Sequence, residues 1–590
     1  MSEAISARFQ VLWVMILAAG AVLGLRLVQL QILQSAEYRQ LAEKNRTQII
    51  YQSAPRGRIY DRKGVAVATS RPAFSLVYLP GKVRREGDLD FLARRLAREL
   101  GGESGELLES LQQAVHEESP LRLAENLPLE AMFRLSELKS VYPGIDLVVE
   151  ARRSYPLGRF ASHLIGYMGK MDPKSWRALK NKGYRVDSRL GKMGLEAAFE
   201  NELRGRDGGL RMEVDAQGRL RRILERLPWS AGGDIHLTID ARMQKAADEG
   251  LRRSLTKKGA VVALDPRNGD ILAFSSAPDF DPNDFLSPDP EVARRAGAET
   301  VEFNRAIAGT YAPGSIFKIV VGAAGLNEGR FSVDDSVYCP GYLEYGKRVF
   351  LCWNHQGHGR MSWFPGLAHS CDVYFYRMGL RTGAAIIERY ARMFGLGEQT
   401  QVALRGEKKG NLFGPTARAK AGRPWRDGDT INLSIGQGGL LVTPIQMAVM
   451  AAAVANGGTV WRPHYVERIA PGPGLPEYRQ KPEILGQVIL KDEVWKDVEE
   501  AMSLVISSGT GAAAKIAGLE VAGKTGTAQN PAGQDHAWFI SFAARSGEPS
   551  EVAVAVLVEN GGHGATVAAP IARSVMMAAY GMDEKKASNL

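Results

Sequence analysis

Cysteine is rare in this chain of 590 residues, which contains only Cys339, Cys352 and Cys371. Three cysteines do not make the disulfide framework of a small secreted domain. The chain also lacks a strong excess of charge of one sign, because it mixes 75 basic residues with 65 acidic ones, for a net charge of +10. A nucleic-acid-binding face is therefore not indicated. The hydrophobic content of 45% is that of an ordinary globular protein.

Long apolar runs are scarce as well, and the one that we find lies near the N-terminus. Residues 9–25 carry no charge and are mostly Leu, Val, Ile, Ala and Met. A membrane-spanning helix needs about 20 apolar residues, and residues 27–33 extend the run if Arg26 reaches to the interface. A cleaved signal peptide is the alternative, but no small-residue cleavage site with a polar start behind it follows the run. We expect residues 1–33 to form a short tail and a single uncleaved anchor.

Residues 311–318 carry the first chemical signal, since Pro313 and Gly314 precede a Ser-x-x-Lys pattern. Pro and Gly favour a turn or helix start, and the apolar residues 319–326 predict a buried helix behind it. Ser315 is expected to open this helix, with Lys318 one turn away on the same face. A serine hydroxyl needs a neighbouring base, and a lysine shielded from water can lose its charge and act as one. The pattern alone is weak, because short motifs match often by chance.

Two further segments make the pattern specific. Ser370 and Asp372 form a Ser-x-Asp, and residues 524–526 form a Lys-Thr-Gly far downstream. A Ser-x-x-Lys, a second serine with a polar residue two positions on, and a Lys-Thr-Gly, in this order, are the signature of penicillin-recognising acyl-serine enzymes. The chain resembles the class B penicillin-binding proteins, which are peptidoglycan D,D-transpeptidases. It is most similar to their elongation-specific subfamily, that of penicillin-binding protein 2.

The resemblance implies roles for the residues of the first two motifs. Ser315 attacks the penultimate D-Ala carbonyl of a stem peptide, and Lys318 is the base for acylation. Ser370 relays protons between Lys318, Lys524 and the leaving nitrogen. Asp372 stands where many relatives carry Asn, and it is expected to orient Lys318 or to contact the substrate amide.

The Lys-Thr-Gly segment is expected to bind substrate. Lys524, Thr525 and Thr527 hold the terminal carboxylate of the stem peptide by charge and hydroxyl donors, and Gly526 lies between them in the same strand. That strand can pair with the extended peptide. The main-chain amides of Ser315 and Thr527 are the expected oxyanion hole.

The fold that the resemblance implies is of the α/β class. It is a penicillin-binding transpeptidase/β-lactamase-like α/β sandwich, preceded by a single transmembrane helix and an α+β pedestal with an inserted head. We place the pedestal at residues 34–232, its head insertion at about 81–150, and the transpeptidase domain at 233–590. The residue pattern predicts the following elements. The head helices are 88–100, 103–117 and 128–139, the transpeptidase strands are 234–239, 259–264, 271–275, 521–529, 537–543 and 552–558, and the transpeptidase helices include 241–256 and 570–580.

The cysteines cluster with histidines around the second motif, and this clustering predicts a structural zinc site. Cys339, Cys352, His358 and Cys371 can bind zinc tetrahedrally, although their spacing is not a zinc-finger pattern. Some members of the subfamily have a metal site in this region, and by resemblance His358 is favoured over His355. Two alternatives stay open, a Cys339–Cys352 disulfide with Cys371 unpaired, and three buried free thiols.

The resemblance implies a transpeptidase that cross-links stem peptides during cell elongation and is inhibited by β-lactams, without a catalytic cofactor. Its implied partners are a glycan polymerase of the SEDS family, other elongation-complex proteins and the inner membrane, with the catalytic domain in the periplasm. A carboxypeptidase or β-lactamase-like hydrolase is one alternative, but no water-activating residue can be assigned from spacing. A non-catalytic scaffold or β-lactam sensor is another, and the presence of all three motifs argues against it.

Overall fold

The structure is a computed structural model, and it describes residues 2–36, 38, 46–78, 87–116, 121–142, 144–184, 188–214, 220–287, 291–292, 294, 299–530 and 533–582. The chain divides into two units. The smaller comprises Met1–Arg56, Ser70–Arg152 and Gly205–Gly232, and the larger comprises Gly57–Thr69, Arg153–Arg204 and Gly233–Leu590. Part of the predicted pedestal thus falls in the larger unit, and the predicted domain limits stay a prediction.

The N-terminal apolar run forms a helix, Ser2–Val28, which continues as a π-helical turn, Gln29–Leu33. Within it, Leu12–Leu33 has a mean hydropathy of 1.9, and no part of that stretch is buried inside the protein. Among the described residues this is the one helix that is long and apolar enough to cross a membrane. The finding agrees with the predicted anchor.

The smaller unit combines β-sheets with three helices. Strand Gly208–Val214 pairs antiparallel with Thr47–Gln52 on one side and with Leu220–Leu227 on the other. The three helices bury Leu92, Leu96, Leu111 and Leu135 in a core of their own. The helices and the strands that accompany them are Gly87–Leu100, Ser104–His116, Leu129–Val141, Leu121–Leu127, Ile145–Ser154 and the later part of Ala66–Tyr78. The three predicted head helices are confirmed to within two residues, except that residue 117 lies outside the described residues.

The larger unit is built on a five-stranded sheet, here called the central sheet, in which every neighbouring pair is antiparallel. Two of its strands, Gly259–Leu264 and Val552–Val558, are continuous apolar runs that are buried on both faces. The strand order is Ile271–Ala277, Gly259–Leu264, Val552–Val558, His536–Ala544 and Glu520–Ala528. The last of these, which carries the Lys-Thr-Gly, lies at one edge.

Helices cover both faces of the central sheet. Ala241–Arg253 and Gly564–Ala579 pack together on one face, and Pro444–Ala455 and Asp492–Ser507 pack on the other. This is the α/β sandwich that the sequence predicts. The remaining helices and turns of this part are Asp284–Leu286, Glu299–Glu302, Gly314–Phe317, Lys318–Asn327, Trp363–Ala368, Asp372–Thr382, Ala384–Met393, Pro415–Lys420, Asp427–Leu433 and Ala512–Ala514.

Short strands and helices complete the larger unit. The strands are Ile59–Tyr60, Met168–Lys170, Arg189–Gly191, Ile235–Leu237, Val337–Cys339, Tyr342–Tyr345, Arg348–Leu351, Gly359–Met361, Thr459–Trp461, Val466–Ile469, Tyr478–Arg479 and Ile484–Gln487, together with the first residues of Ala66–Tyr78. The helices and helical turns are Ser162–Ile165, Pro173–Leu179, Lys180–Lys182, Gly194–Ala198 and Glu200–Leu203.

Two predicted helices differ in length from those observed. The predicted helix 241–256 ends at Arg253, because Ser254 turns to extended backbone. The predicted helix 570–580 begins six residues earlier, at Gly564, and contains Pro570. Pro570 is the seventh residue of this helix, where it removes one intrahelical hydrogen bond, so it does not mark the start here.

A buried ion pair joins Arg153 and Glu196, which precede the central sheet in the chain. Arg153 Nε donates to Glu196 Oε1 at 2.6 Å, and Arg153 Nη1 donates to the carbonyl of Gly57 at 2.6 Å. The two side chains are 3% and 0% exposed. Tyr155 donates its hydroxyl to the same carboxylate oxygen at 3.1 Å. The Glu196 carboxylate is therefore paired with the Arg153 guanidinium inside the protein.

We predict that Arg153→Met lowers the free energy of unfolding by about 3–5 kcal/mol, because it removes a buried guanidinium that donates to the Glu196 carboxylate at 2.6 Å. Urea unfolding of the ectodomain measures the change. Arg211→Met is the matched control, since Arg211 pairs with Glu225 at 3.1 Å and both side chains are largely exposed. The control should change the free energy by less than about 1 kcal/mol. Equal losses in the two variants would contradict the prediction.

Candidate active site

The turn that carries Ser315 is shaped by a glycine. Gly314 has a φ of +56°, and a Cβ at this position would lie 2.6 Å from the carbonyl oxygen of Thr527. Its N–H donates to the carbonyl of Gly436 at 3.1 Å. Only glycine fits this left-handed backbone against a neighbouring strand. The turn is thereby held close to the edge strand of the central sheet.

Ser315 lies in a 3₁₀ turn, Gly314–Phe317, which leads into the buried α-helix Lys318–Asn327. The sequence predicts that Ser315 opens the helix, and the structure places it one tight turn ahead of the α-helical part. Ser315 is half-buried, whereas Lys318 is fully buried. The serine is thus partly accessible, and the lysine is shielded from water.

Lys318 contacts both residues of the second motif. Its Nζ donates to the carbonyl of Ser370 at 2.8 Å, to Ser370 Oγ at 3.2 Å and to Asp372 Oδ1 at 2.7 Å. Three acceptors match the three donors of an ammonium group. The structure thus brings the predicted residues Lys318, Ser370 and Asp372 into direct contact.

Ser370 and Asp372 are positioned by the start of a helix. Ser370 has a φ of +55°, an uncommon conformation for a residue other than glycine, and it is followed by the helix Asp372–Thr382. The second carboxylate oxygen of Asp372 accepts the N–H of Trp353 at 2.8 Å. Backbone strain of this kind is maintained only when neighbouring contacts fix it.

The Lys-Thr-Gly strand lies against the serine turn. A Cβ on Gly526 would lie 2.9 Å from Ile316 Cγ1 and 3.1 Å from the carbonyl oxygen of Pro313. Glycine at this position therefore lets the strand and the turn approach closely. Thr527 is half-buried, and its carbonyl oxygen lies next to Gly314 of the same turn.

Lys524 and Thr525 differ in their surroundings, as neighbours along a strand do. Lys524 is fully buried, and its Nζ donates to the carbonyl of Thr525 at 2.9 Å. Burial, and secondarily the charge of Lys318, hold the pKa of the Lys524 amine well below its usual range. The Thr525 hydroxyl is bonded to the Thr510 hydroxyl at 2.7 Å. The Thr525 hydroxyl can accept the hydrogen of Thr510 and still donate its own to a carboxylate.

The predicted metal ligands form one cluster. One ligand atom each from Cys339, Cys352, His358 and Cys371 lies within 4.8 Å of the others. His358 Nδ1 is 3.6 Å from Cys339 Sγ and 3.5 Å from Cys352 Sγ. The three cysteines are free thiols in the structure. A hydrogen bond from Cys371 lowers the pKa of the Cys352 thiol to about 5. We call these four residues the Cys/His cluster.

The donor set of the Cys/His cluster fits a zinc ion. Three thiolates and one imidazole are a common tetrahedral set for structural zinc. His358 Nε2 is buried without a hydrogen-bond partner, while Nδ1 faces two sulfurs. The histidine that the sequence favours, His358, belongs to the cluster, and His355 does not.

Two contact residues are missed by the motif pattern. Trp353 donates to Asp372 and to the carbonyl of Ser370, and Thr510 bonds to Thr525. Trp353 directly follows Cys352, which is the only signal in the sequence that places it near the second motif. Thr510 has no such signal, because its contact arises from tertiary folding.

Family models match two regions of the chain. The model for the penicillin-binding protein transpeptidase domain matches residues 259–577, and the model for the penicillin-binding protein dimerisation domain matches residues 51–237. All eight predicted residues of the three catalytic motifs lie within the first match. The chain belongs to the penicillin-binding protein transpeptidase family, so the predicted family and fold class are confirmed.

Similar proteins point to one branch of this family. The peptidoglycan D,D-transpeptidase MrdA of Acinetobacter baumannii is 32% identical, over 93% of this chain and 84% of that protein. MrdA of Escherichia coli K12 is 31% identical, over 94% of this chain and 90% of that protein. Penicillin-binding protein 2 of Helicobacter pylori, in complex with MreC, has a TM-score of 0.74 at 26% identity, over 91% of this chain and 99% of that chain. A chain of a peptidoglycan synthase complex has a TM-score of 0.73 at 32% identity, over 98% and 99% of the two chains.

We predict that Lys524→Met raises the melting temperature at pH 7 while it slows acylation by penicillin. The buried amine has a lowered pKa, so unfolding at neutral pH restores a proton that the folded state disfavours. The stability of the wild-type protein therefore rises with pH up to about the ordinary lysine pKa of 10.5. The advantage of the Met variant should shrink between pH 7 and pH 9 in thermal melts. An advantage that is constant or grows with pH would contradict the prediction.

Proposed function

We propose that this protein is a peptidoglycan D,D-transpeptidase in which Ser315 forms the acyl-enzyme. The single observation that carries the proposal is the contact of the buried Lys318 amine with Ser370 Oγ at 3.2 Å and with Asp372 at 2.7 Å. That contact joins the first two motifs of the acyl-serine signature. Gly526 of the third motif lies against the turn that carries the serine.

The first half of the reaction transfers the donor peptide to the enzyme. Ser315 Oγ bonds to the carbonyl carbon of the penultimate D-Ala, and the amide bond to the terminal D-Ala breaks. Lys318 in its neutral form takes the hydroxyl proton, and Ser370 passes a proton to the leaving nitrogen. The amides of Ser315 and Thr527 stabilise the oxyanion. Lys524, Thr525 and Thr527 bind the terminal carboxylate.

The second half of the reaction forms the cross-link. An amine of a neighbouring stem peptide bonds to the acyl carbon while the ester bond to Ser315 breaks. The proton of the attacking amine returns to the Ser315 oxygen through Ser370 and Lys318. A β-lactam follows only the first half, because its opened ring stays attached and blocks the acceptor amine. Inhibition by β-lactams is therefore part of the same chemistry.

The anchor helix and the family together support a single-pass arrangement. Leu12–Leu33 crosses the inner membrane once, the short tail before it is cytoplasmic, and the chain after it lies in the periplasm, where stem peptides are found. Residues 34–232 form the pedestal and residues 233–590 the transpeptidase domain. We assign a SEDS-family glycan polymerase and other elongation-complex proteins as partners. Support comes from relatives solved with MreC and as a peptidoglycan synthase complex.

The Cys/His cluster is proposed to hold a structural zinc ion. Cys339 ends one short strand, and His358 directly precedes the strand that pairs with it, Gly359–Met361. Cys371 lies between Ser370 and Asp372. A zinc ion here fixes the loop in front of the second motif and supplies no chemistry to the reaction.

We predict that Ser315→Ala loses covalent labelling by a fluorescent penicillin by at least about 1,000-fold, because no other group replaces the nucleophile. Gel fluorescence after incubation measures the label. The matched control is Ser508→Ala, which removes an exposed hydroxyl that donates to the carbonyl of Leu504. This control should label like the wild-type protein. Persistent labelling of a folded Ser315→Ala protein would refute the assigned nucleophile.

We predict that His358→Ala lowers bound zinc from about one ion per chain to near zero, since it removes one of four ligands from a closed site. Inductively coupled plasma mass spectrometry of the purified ectodomain gives the metal content. His355→Ala is the matched control, because His355 is exposed in the same loop and lies outside the cluster. Wild-type protein without zinc, or equal loss in the two variants, would contradict the assignment.

A further inference from the structure

Trp353 combines an exposed ring with two hydrogen bonds to the second motif and one to His369, which precedes that motif. It follows Cys352 in the loop after the strand Arg348–Leu351, and its side chain is 56% exposed. An exposed tryptophan seldom has every donor committed to one neighbouring segment. Here both its indole N–H and its main-chain N–H point at residues 369–372.

The indole N–H of Trp353 donates to the main-chain carbonyl of Ser370. Nε1 lies 3.1 Å from the carbonyl oxygen of Ser370 and 3.1 Å from that of His369. The Ser370 carbonyl also accepts Lys318 Nζ at 2.8 Å. Two donors therefore fix the carbonyl of a residue whose φ of +55° is unfavourable for serine.

The main-chain N–H of Trp353 binds Asp372, the second residue that contacts the Lys318 amine. It donates to Asp372 Oδ2 at 2.8 Å, and Asp372 Oδ1 accepts Lys318 Nζ at 2.7 Å. Trp353, Ser370, Lys318 and Asp372 thus form a closed circuit of hydrogen bonds. The circuit fixes both the carbonyl and the carboxylate that position the Lys318 amine.

The geometry points to Trp353 as a positioning residue for acylation, an inference that rests on the proposed function. Without the indole donor, the Ser370 carbonyl is held by Lys318 alone. The amine is then drawn towards that carbonyl and away from Ser370 Oγ, which already lies farther away, at 3.2 Å. Proton transfer is sensitive to this distance. The bond-forming step should therefore slow, whereas reversible binding of the β-lactam should change little.

The test separates these two steps. Stopped-flow labelling with a fluorescent penicillin over a range of concentrations gives the reversible dissociation constant Kd and the acylation rate constant k2. Trp353→Phe keeps an aromatic ring and the main-chain N–H but removes the indole donor. A second form carries benzothienylalanine at position 353, in which sulfur replaces the indole N–H at nearly constant shape. Trp461→Phe is the matched control, since Trp461 Nε1 donates to the carbonyl of Pro266 at 3.0 Å, outside the circuit.

We expect k2 to fall about 10-fold in both position-353 forms, as for the loss of one hydrogen bond in a transition state, with Kd within about twofold of wild type. Zinc content and melting temperature should match the Trp461→Phe control. A k2 equal to that of the wild-type protein in the benzothienylalanine form would overturn the role of Trp353, and so would weaker binding in Kd with an unchanged k2. In either case, labelling of Ser315 would still support the proposed function. Absence of label in the wild-type protein would overturn both.

Discussion

The rest of the site depends on one constraint, the burial of the Lys318 amine against three acceptor atoms of two residues. A lysine without water needs hydrogen-bond partners for all of its donors, and Ser370 and Asp372 supply them. A second buried lysine, Lys524, lies close enough for its pKa to be lowered partly by the charge of Lys318. Two amines in one dry site repel each other when both are charged, which favours the loss of one proton.

The central sheet provides the rigidity that this arrangement requires. Its strands are buried on both faces, so the edge strand Glu520–Ala528 cannot shift without disturbing a large core. The serine turn is fixed against that strand by Gly314 and Gly526, at both of which a Cβ would come within 3 Å of the opposite segment. The helix Asp372–Thr382 brings the second motif to the same place. Three segments that are distant in the chain are thereby held in contact.

Much of this could be predicted from the sequence, because the informative patterns are local. The apolar runs at 259–264 and 552–558 match observed strands residue for residue. The motif residues have distinctive types and order, and the four metal-site candidates have the chemistry of zinc ligands. Helix ends are harder to predict, as at Gly564, because proline usually stands in the first turn of a helix and Pro570 lies inside this one.

What the sequence could not predict depends on contacts between distant segments. The 3₁₀ turn at Ser315 follows from the approach of Gly314 to Thr527, which no local pattern records. The bond between Thr510 and Thr525 joins a helix end to a strand, and Trp353 reaches Ser370 across 17 residues. Such contacts are set by packing, and a single sequence carries no trace of them.

The position of the Lys-Thr-Gly strand at the sheet edge has a consequence for solubility. An edge strand exposes unpaired main-chain groups and can join the edge of another molecule, which leads to aggregation. A lysine that points inward from an edge strand is one of the devices by which natural sheets discourage such pairing. Lys524 is such a residue, because it is fully buried on the edge strand, so it also helps to keep separate molecules from associating through their sheets.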